Sequence, residues 1–274
     1  VRPQLARFPS SGNRFGNPRR KPGSAFTLVE LLVVIGIMVI MMTMLIPAFN
    51  TIRNGSDLTK ASYDIAGTLS QARAYAMAND TFVWVGLLEV DAGQSNSASR
   101  QVPGVGTLAI ASIASKDGTR GYDINSSTLS NPAWNYNKGA NFVAVGKLQR
   151  YDNVHLAPLF STIPNSGGTK RPTVSSGAYQ LGNSTANPNP GKCVTPFDWP
   201  LGTDIDAGQY SFKRVINFDP QGIARIQYSG NNDSIEQYME IGLQQTHGTV
   251  VSTGSNVAAV QVDCMSGSTH IYRP

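Results

Sequence analysis

Phe26 to Phe49 reads FTLVELLVVIGIMVIMMTMLIPAF, twenty-four residues in which Glu30 is the sole charge. As a helix this run extends roughly 36 Å, enough to cross a hydrocarbon layer of about 30 Å, so the sequence predicts a membrane helix. Arg19, Arg20 and Lys21 stand just before it. Basic residues stay on the cytoplasmic side, which predicts that everything after Asn50 is extracytoplasmic. A secretory signal would have a shorter apolar core followed by a small-x-small site, whereas here Ile46-Pro47-Ala48-Phe49-Asn50 follows. A lone carboxylate in such a run costs about 2.5 to 3.5 kcal/mol on insertion scales, so Glu30 requires a partner or an escape to the interface.

Gly23-Ser24-Ala25-Phe26-Thr27-Leu28-Val29-Glu30-Leu31-Leu32-Val33 resembles the N-terminal methylation motif of type IV pilins and type II secretion pseudopilins. The resemblance implies that a prepilin peptidase cuts between Ala25 and Phe26 and methylates the new Phe26 amine. Counted from Phe26, Glu30 is fifth and Pro47 twenty-second, the places where that family carries its glutamate and commonly a proline. Ala25 departs from the pattern, because the family has Gly before the cut; a cut after Gly23 would make Glu30 seventh. Cleavage creates an α-amine with a reference pKa near 8, protonated at neutral pH. The family resemblance implies that this amine on one subunit pairs with Glu30 of a neighbour as helices leave the lipid and bundle into a filament. A desolvated pair of this kind sets register more than it adds stability. Pro47 is expected to kink the helix or loosen one turn of it.

The chain of 274 residues carries 22 Lys+Arg against 17 Asp+Glu, a formal net charge of +5. Six of those bases, Arg2, Arg7, Arg14, Arg19, Arg20 and Lys21, fall within residues 1–25 beside no acid, leaving 16 bases against 17 acids in the rest. The basic balance therefore belongs to the expected leader and is no argument for a nucleic-acid partner. Charged residues make up only 14%, with 27 Gly and 16 Pro; this is a turn-rich, β-leaning composition that excludes coiled coil over most of the length.

The organisation that follows is a basic leader at 1–25, a membrane-spanning or filament-core helix at 26–49, an amphipathic continuation at 50–79 and an extracytoplasmic β-rich head at 80–274. In the continuation, Leu58, Ala61, Ile65, Leu69, Ala72 and Ala76 recur at steps of three and four. They draw one apolar stripe, which predicts packing on a sheet. Ser56 or Asp57 is read as the cap of a local restart, and Asn79-Asp80 as the helix end. Strands are predicted at Thr81–Val90, Leu108–Ala114, Ser211–Phe218, Ile223–Tyr228, Tyr238–Gln244, Val257–Asp263 and Thr269–Arg273. Asp219-Pro220-Gln221-Gly222 suits a type I turn between two of them. Loop-rich insertions are expected at Asp91–Gly106, Gly118–Ala140 and above all Ala157–Pro200, where Pro, Gly, Ser and Asn predict an exposed excursion from the sheet. Such loops serve either partner recognition or no role beyond connection. The fold class is thus α+β, a long N-terminal helix packed on an antiparallel, sandwich-like head.

Gln71-Ala72-Arg73-Ala74-Tyr75-Ala76, Phe82-Val83-Trp84-Val85 and Ile216-Asn217-Phe218-Asp219-Pro220-Gln221-Gly222 are similar to the minor pseudopilin H and fimbrial minor pilin family. That resemblance covers the N-terminal third and the C-terminal strands but not the middle, and it implies a low-abundance filament subunit. The partners it implies are other pilins or pseudopilins, the prepilin peptidase, an inner-membrane assembly platform, membrane lipid and a secreted cargo.

Nothing in the sequence assembles an enzyme. His155, His247 and His270 are far apart, and no nucleophile elbow, His-Glu-x-x-His, P-loop or dinucleotide fingerprint occurs. No cofactor is expected. Asp198, Asp204 and Asp206, with Asn231, Asn232 and Asp233, are weak calcium candidates because the full acidic loop spacing is missing. Cys193 and Cys264 leave two readings open, a bridge formed in an oxidising compartment or two thiols. Two functions compete with the filament subunit. In one the chain is a DNA-binding minor pilin, for which Lys213, Arg214 and Arg225 are the concentrated bases and Arg273 the terminal one. In the other it is a membrane-anchored binding protein that never polymerises.

Overall fold

The computed structural model describes residues 27–120, 141–158, 171–174, 179–182, 192–202, 208–226, 235–253 and 256–273, the side chains of 44–55 and 192–196 excepted. The chain divides into two compact units, Val1–Ala48 and Phe49–Pro274. One helix, α1 (Leu28–Ala78), is found among the described residues. It starts on Thr27, whose Oγ1 accepts the Glu30 amide at 3.2 Å, and it runs without a break through Ser56 and Asp57. The restart expected there does not occur: Asp57 instead accepts the Asn153 amide through Oδ2 at 3.0 Å. The kink expected at Pro47 falls among the side chains outside the described set. The helix ends where predicted. Asp80 takes a positive φ of 49°, and the Thr81 amide closes back on the Ala76 carbonyl at 3.0 Å, a left-handed cap that satisfies a terminal carbonyl.

Among the described residues, twelve strands form two antiparallel sheets. The larger sheet is centred on β1 (Val83–Asp91), which pairs with β2 (Gly106–Ser115) on one side and β7 (Tyr210–Phe218) on the other. The outer edge of β2 is shared by β3 (Phe142–Ala144) and β4 (Gln149–Asp152), and that of β7 by β6 (Lys192–Trp199) and β8 (Ala224–Ile226). The smaller sheet sets β9 (Tyr238–His247) between β11 (Val257–Asp263) and two short strands, β5 (Val154–Leu156) and β10 (Val250–Val251); β12 (Thr269–Tyr272) lies beyond β11.

One core joins the two sheets and the helix. Leu58, Ala61, Ile65, Leu69, Ala72 and Ala76 are all fully buried, and they cluster with Val83, Val85 and Leu87 of β1, Ile216 and Phe218 of β7, Ile241 and Leu243 of β9, and Val260 and Val262 of β11. The predicted stripe is therefore the face that closes the core, each Leu or Ile in it contributing about 1.5 to 3 kcal/mol by removal from water. β1 is buried on both faces: Trp84, Leu88 and Val90 enter a second cluster with Phe197, Phe212 and Val215. Gly86 belongs to that second face. A Cβ there would stand 2.5 Å from Phe197 Cζ, so a bare backbone is what lets the stacked Phe197–Phe212 pair, 4.9 Å between centroids, lie across the strand.

The Asp219–Gly222 turn forms as predicted. Gly222 donates to the Asp219 carbonyl at 2.8 Å with φ +81°, and Asp219 Oδ1 accepts the amides of Gln221 and Ile223 at 3.0 and 2.9 Å. Within 157–200 the described parts are mostly buried, with Pro158, Thr173 and Pro200 exposed as expected of an excursion. Arg171, Val174, Tyr179, Gln180 and Leu181 are buried, and Lys192–Trp199 is strand β6. The reason is polar. Glu240, on β9, is fully buried and forms an ion pair with Arg171 at 3.5 Å, its carbonyl accepts the Leu181 amide at 2.8 Å, and Gln261 Nε2 donates to the Pro172 carbonyl at 2.9 Å. Burial raises the Glu240 pKa, partly countered by Arg171. The insertion Gly118–Ala140 lies beyond Arg120 outside the described residues.

Candidate functional site

The N-terminal part of α1 is built unlike the rest of it. From Leu28 to Met42 every residue except Glu30 and Gly36 is a large apolar one, and each of these is 41–79% exposed. Apolar side chains point in all directions, with no polar face to turn toward water. A helix of that composition belongs in a core or a lipid layer. Thr43 satisfies its own hydroxyl by donating to the Ile40 carbonyl at 2.7 Å, so it adds no unmet polar group to the cylinder. Among the described residues no helix is long and apolar enough to cross a membrane; the described side chains of the 26–49 run end at Thr43.

Glu30 sits in the first turn, at the third helical position, and its side chain is exposed. Negative charge is favoured there by the free amides and the helix dipole. Its own amide is held by Thr27 Oγ1, and Leu31 donates to the Thr27 carbonyl at 3.2 Å. Thr27 is thus the N-cap, a role that the sequence reading did not assign. The signal was present as Thr-x-x-Glu ahead of an apolar run, the capping-box spacing. Ala25 and Phe26, the expected cleavage and methylation positions, lie outside the described residues.

The other candidates do not gather. His155 on β5 and His270 on β12 are separated by β9 and β11, with His155 opposite Gln244 and His270 opposite Gln261. His247 is exposed at the end of β9. His155 is engaged structurally, its Nδ1 lying 2.7 Å from Glu89 Oε1. Among the described residues no three His, Cys, Asp or Glu side chains converge on a metal position. Asp198 is buried and accepts the Gly208 amide at 3.5 Å; Asp204, Asp206 and Asn231 to Asp233 lie outside the described residues.

Of the two thiol readings, the bridge is not formed: Cys264 is a free thiol in the main core, its Sγ 3.9 Å from the Val262 carbonyl, and burial pushes its pKa up to about 12. Cys193 stands on β6, at an edge of the other sheet, with its side chain outside the described set. Two of the basic residues proposed for DNA lie beside acids, while Lys213 is exposed next to Arg214. Arg225 pairs with Asp219 Oδ2 at 3.3 Å, and Arg214 is half-buried near Glu89.

Residues 20–46 match the family described as the prokaryotic N-terminal methylation motif. No curated protein and no solved structure matches the chain. The match covers the bare apolar helix, its cap and Glu30, and it supports a pilin-like or pseudopilin-like subunit.

Proposed function

We propose that this chain is a minor pseudopilin or pilin-like structural subunit, made with a leader, cut between Ala25 and Phe26, methylated on the Phe26 amine and held in the inner membrane by the apolar helix before it joins a filament. The head lies on the periplasmic side. Assembly runs through the helix: the Phe26 ammonium of one subunit meets Glu30 of the next when the two helices exchange lipid for each other. It performs no reaction of its own. Its partners are other pilins or pseudopilins, the prepilin peptidase, the inner-membrane platform and, at the head, secreted cargo.

The observation that carries this reading is a helix end apolar on every side, with one capped acid in its first turn, inside a segment that matches the methylation motif. A helix of this kind needs lipid or its own kind around it, and no base stands among the residues Leu28–Thr43 that surround the acid, which suits a cation brought by a neighbouring subunit. A type II secretion pseudopilus is preferred over a pilus on the similarity to the minor pseudopilin H family alone. The test is replacement of Glu30. Glu30→Val is expected to leave membrane insertion and head folding intact while co-sedimentation with filaments falls at least about tenfold, and Glu30→Asp to retain part of it. Equal incorporation of Glu30→Val would overturn the assembly role and favour a membrane-anchored binding protein.

A further inference from the structure

The strongest unexplained group lies in the head, away from the helix. Where β1, β5 and β7 come together, a cleft of about 240 Å³ is lined by Leu87, Glu89, Pro103, Leu156, Lys213 and Arg214, among others. Arg214 stands opposite Leu87 across the β1–β7 pairing and opposite Lys192 on β6, next to a register irregularity between Lys192 and Phe197.

Glu89 is the acid nearest in kind to neutralise this guanidinium, but its oxygens are already taken. Oε1 lies 2.7 Å from His155 Nδ1 and accepts the Gly106 amide at 3.1 Å, and Oε2 accepts the Leu156 amide at 3.3 Å. No ion pair joins it to Arg214 among the described residues. Nη1 of Arg214 is buried with no hydrogen-bond partner. Burial pulls the Arg214 pKa down, and the field of Glu89 offsets this only in part. A guanidinium that is largely withdrawn from water and left short of acceptors costs stability unless something else fills it.

The lining says what would. Two basic residues, Lys213 and Arg214, line the cleft against one acidic residue, Glu89, a lining that suits an anion. The guanidinium fork matches the two oxygens of a carboxylate. Leu87, Pro103 and Leu156 give the cleft apolar walls, which suit an apolar body behind that carboxylate. We propose that this cleft binds a carboxylate carried on a small apolar residue, as at the C-terminal end of a polypeptide or in a free branched-chain acid. The proposal is independent of the filament reading.

The test uses the full chain in detergent micelles, followed by backbone amide resonances during titration with N-acetyl-leucine, N-acetyl-leucinamide and inorganic phosphate. Saturable shifts at Glu89, Leu156 and Arg214 are expected with N-acetyl-leucine, and affinity at least about tenfold weaker for the uncharged amide and for phosphate. A short peptide ending in Leu with a free carboxylate separates the two sources: tighter binding than N-acetyl-leucine identifies a chain end, and equal binding a free acid, each supporting a carboxylate site. Arg214→Gln is expected to weaken binding at least about tenfold, while Arg225→Gln, whose guanidinium pairs with Asp219, leaves it unchanged. Equal binding of the acid and its amide by the unaltered chain would overturn the proposal, as would no saturation or undiminished binding by a folded Arg214→Gln. If that variant does not fold, the acid-to-amide comparison decides alone.

Discussion

Two stretches of α1 use the same kinds of residue to opposite ends. From Leu28 to Met42 the apolar side chains surround the helix and remain exposed, whereas from Leu58 to Ala76 they fall on one stripe and are fully buried. The difference lies in arrangement. A stripe specifies a protein surface as its partner, because the opposite face must remain in water; an all-round apolar surface specifies a medium, lipid or a bundle of similar helices. On the proposed function the first stretch is where assembly is expressed; the second is where the head's stability lies.

The largest expected effect separates the two. Leu69→Ala removes a fully buried side chain from the core and is expected to destabilise the head by about 2 to 5 kcal/mol in urea unfolding, while Ile37→Ala on the bare stretch leaves the unfolding midpoint where it was. Similar losses for both would mean that the two stretches do not differ as described.

The next lies in the polar interior of the head. Glu240 has a raised pKa, so its contribution to stability is fully present below its ordinary value of 4.5 and is lost as pH rises through the folded value. Replacing both members of the pair, Glu240→Gln with Arg171→Met, is expected to be neutral or stabilising by up to about 1 to 4 kcal/mol near neutral pH. Stability measured against pH should show the unaltered head losing ground to the double variant as pH rises from 4.5 toward neutrality. A constant difference would mean that Glu240 is not the titrating group.

Glycines repeat the comparison on a smaller scale. A Cβ at Gly36 meets nothing within 4 Å, but one at Gly86 meets Phe197 Cζ at 2.5 Å and Phe212 Cβ at 2.7 Å. Gly86→Ala should cost about 1 to 3 kcal/mol by overpacking, and Gly36→Ala should be neutral for the head and slightly favourable for the helix, by about 0.5 to 1 kcal/mol. Thermal unfolding of the two variants side by side checks this. The smallest effect is at the cap: Thr27→Ala should destabilise the first turn by about 1 kcal/mol, read as faster amide exchange at Leu28 to Leu31 with the Leu58 to Ala76 amides unchanged.

What was legible in the sequence follows the same physics. The Leu58–Ala76 stripe has a strong period, and the long strands β1, β2, β7, β9 and β11 are rich in branched and aromatic residues, so each announced itself. β3, β4, β5 and β10 have only two to four residues, too few for a period to show, and exist because they pair with an edge already formed by β2 or β9. β6 was hidden by the Pro and Gly around it. The buried Arg171 is unreadable from composition because its partner Glu240 is distant along the chain, and burial of a charge is decided by that meeting. At the N-terminus the motif identified Glu30, while the Thr27 cap required attention to the spacing between them.

The central claim is that Glu30 is paired, at work, with a cation that processing creates at Phe26. Intact-mass and N-terminal fragment analysis of the protein isolated from its native membrane tests this most directly. The account predicts a chain that begins at Phe26 and carries one methyl group on its terminal amine. A chain that still carries residues ahead of Phe26, or one that begins beyond Glu30, would contradict it.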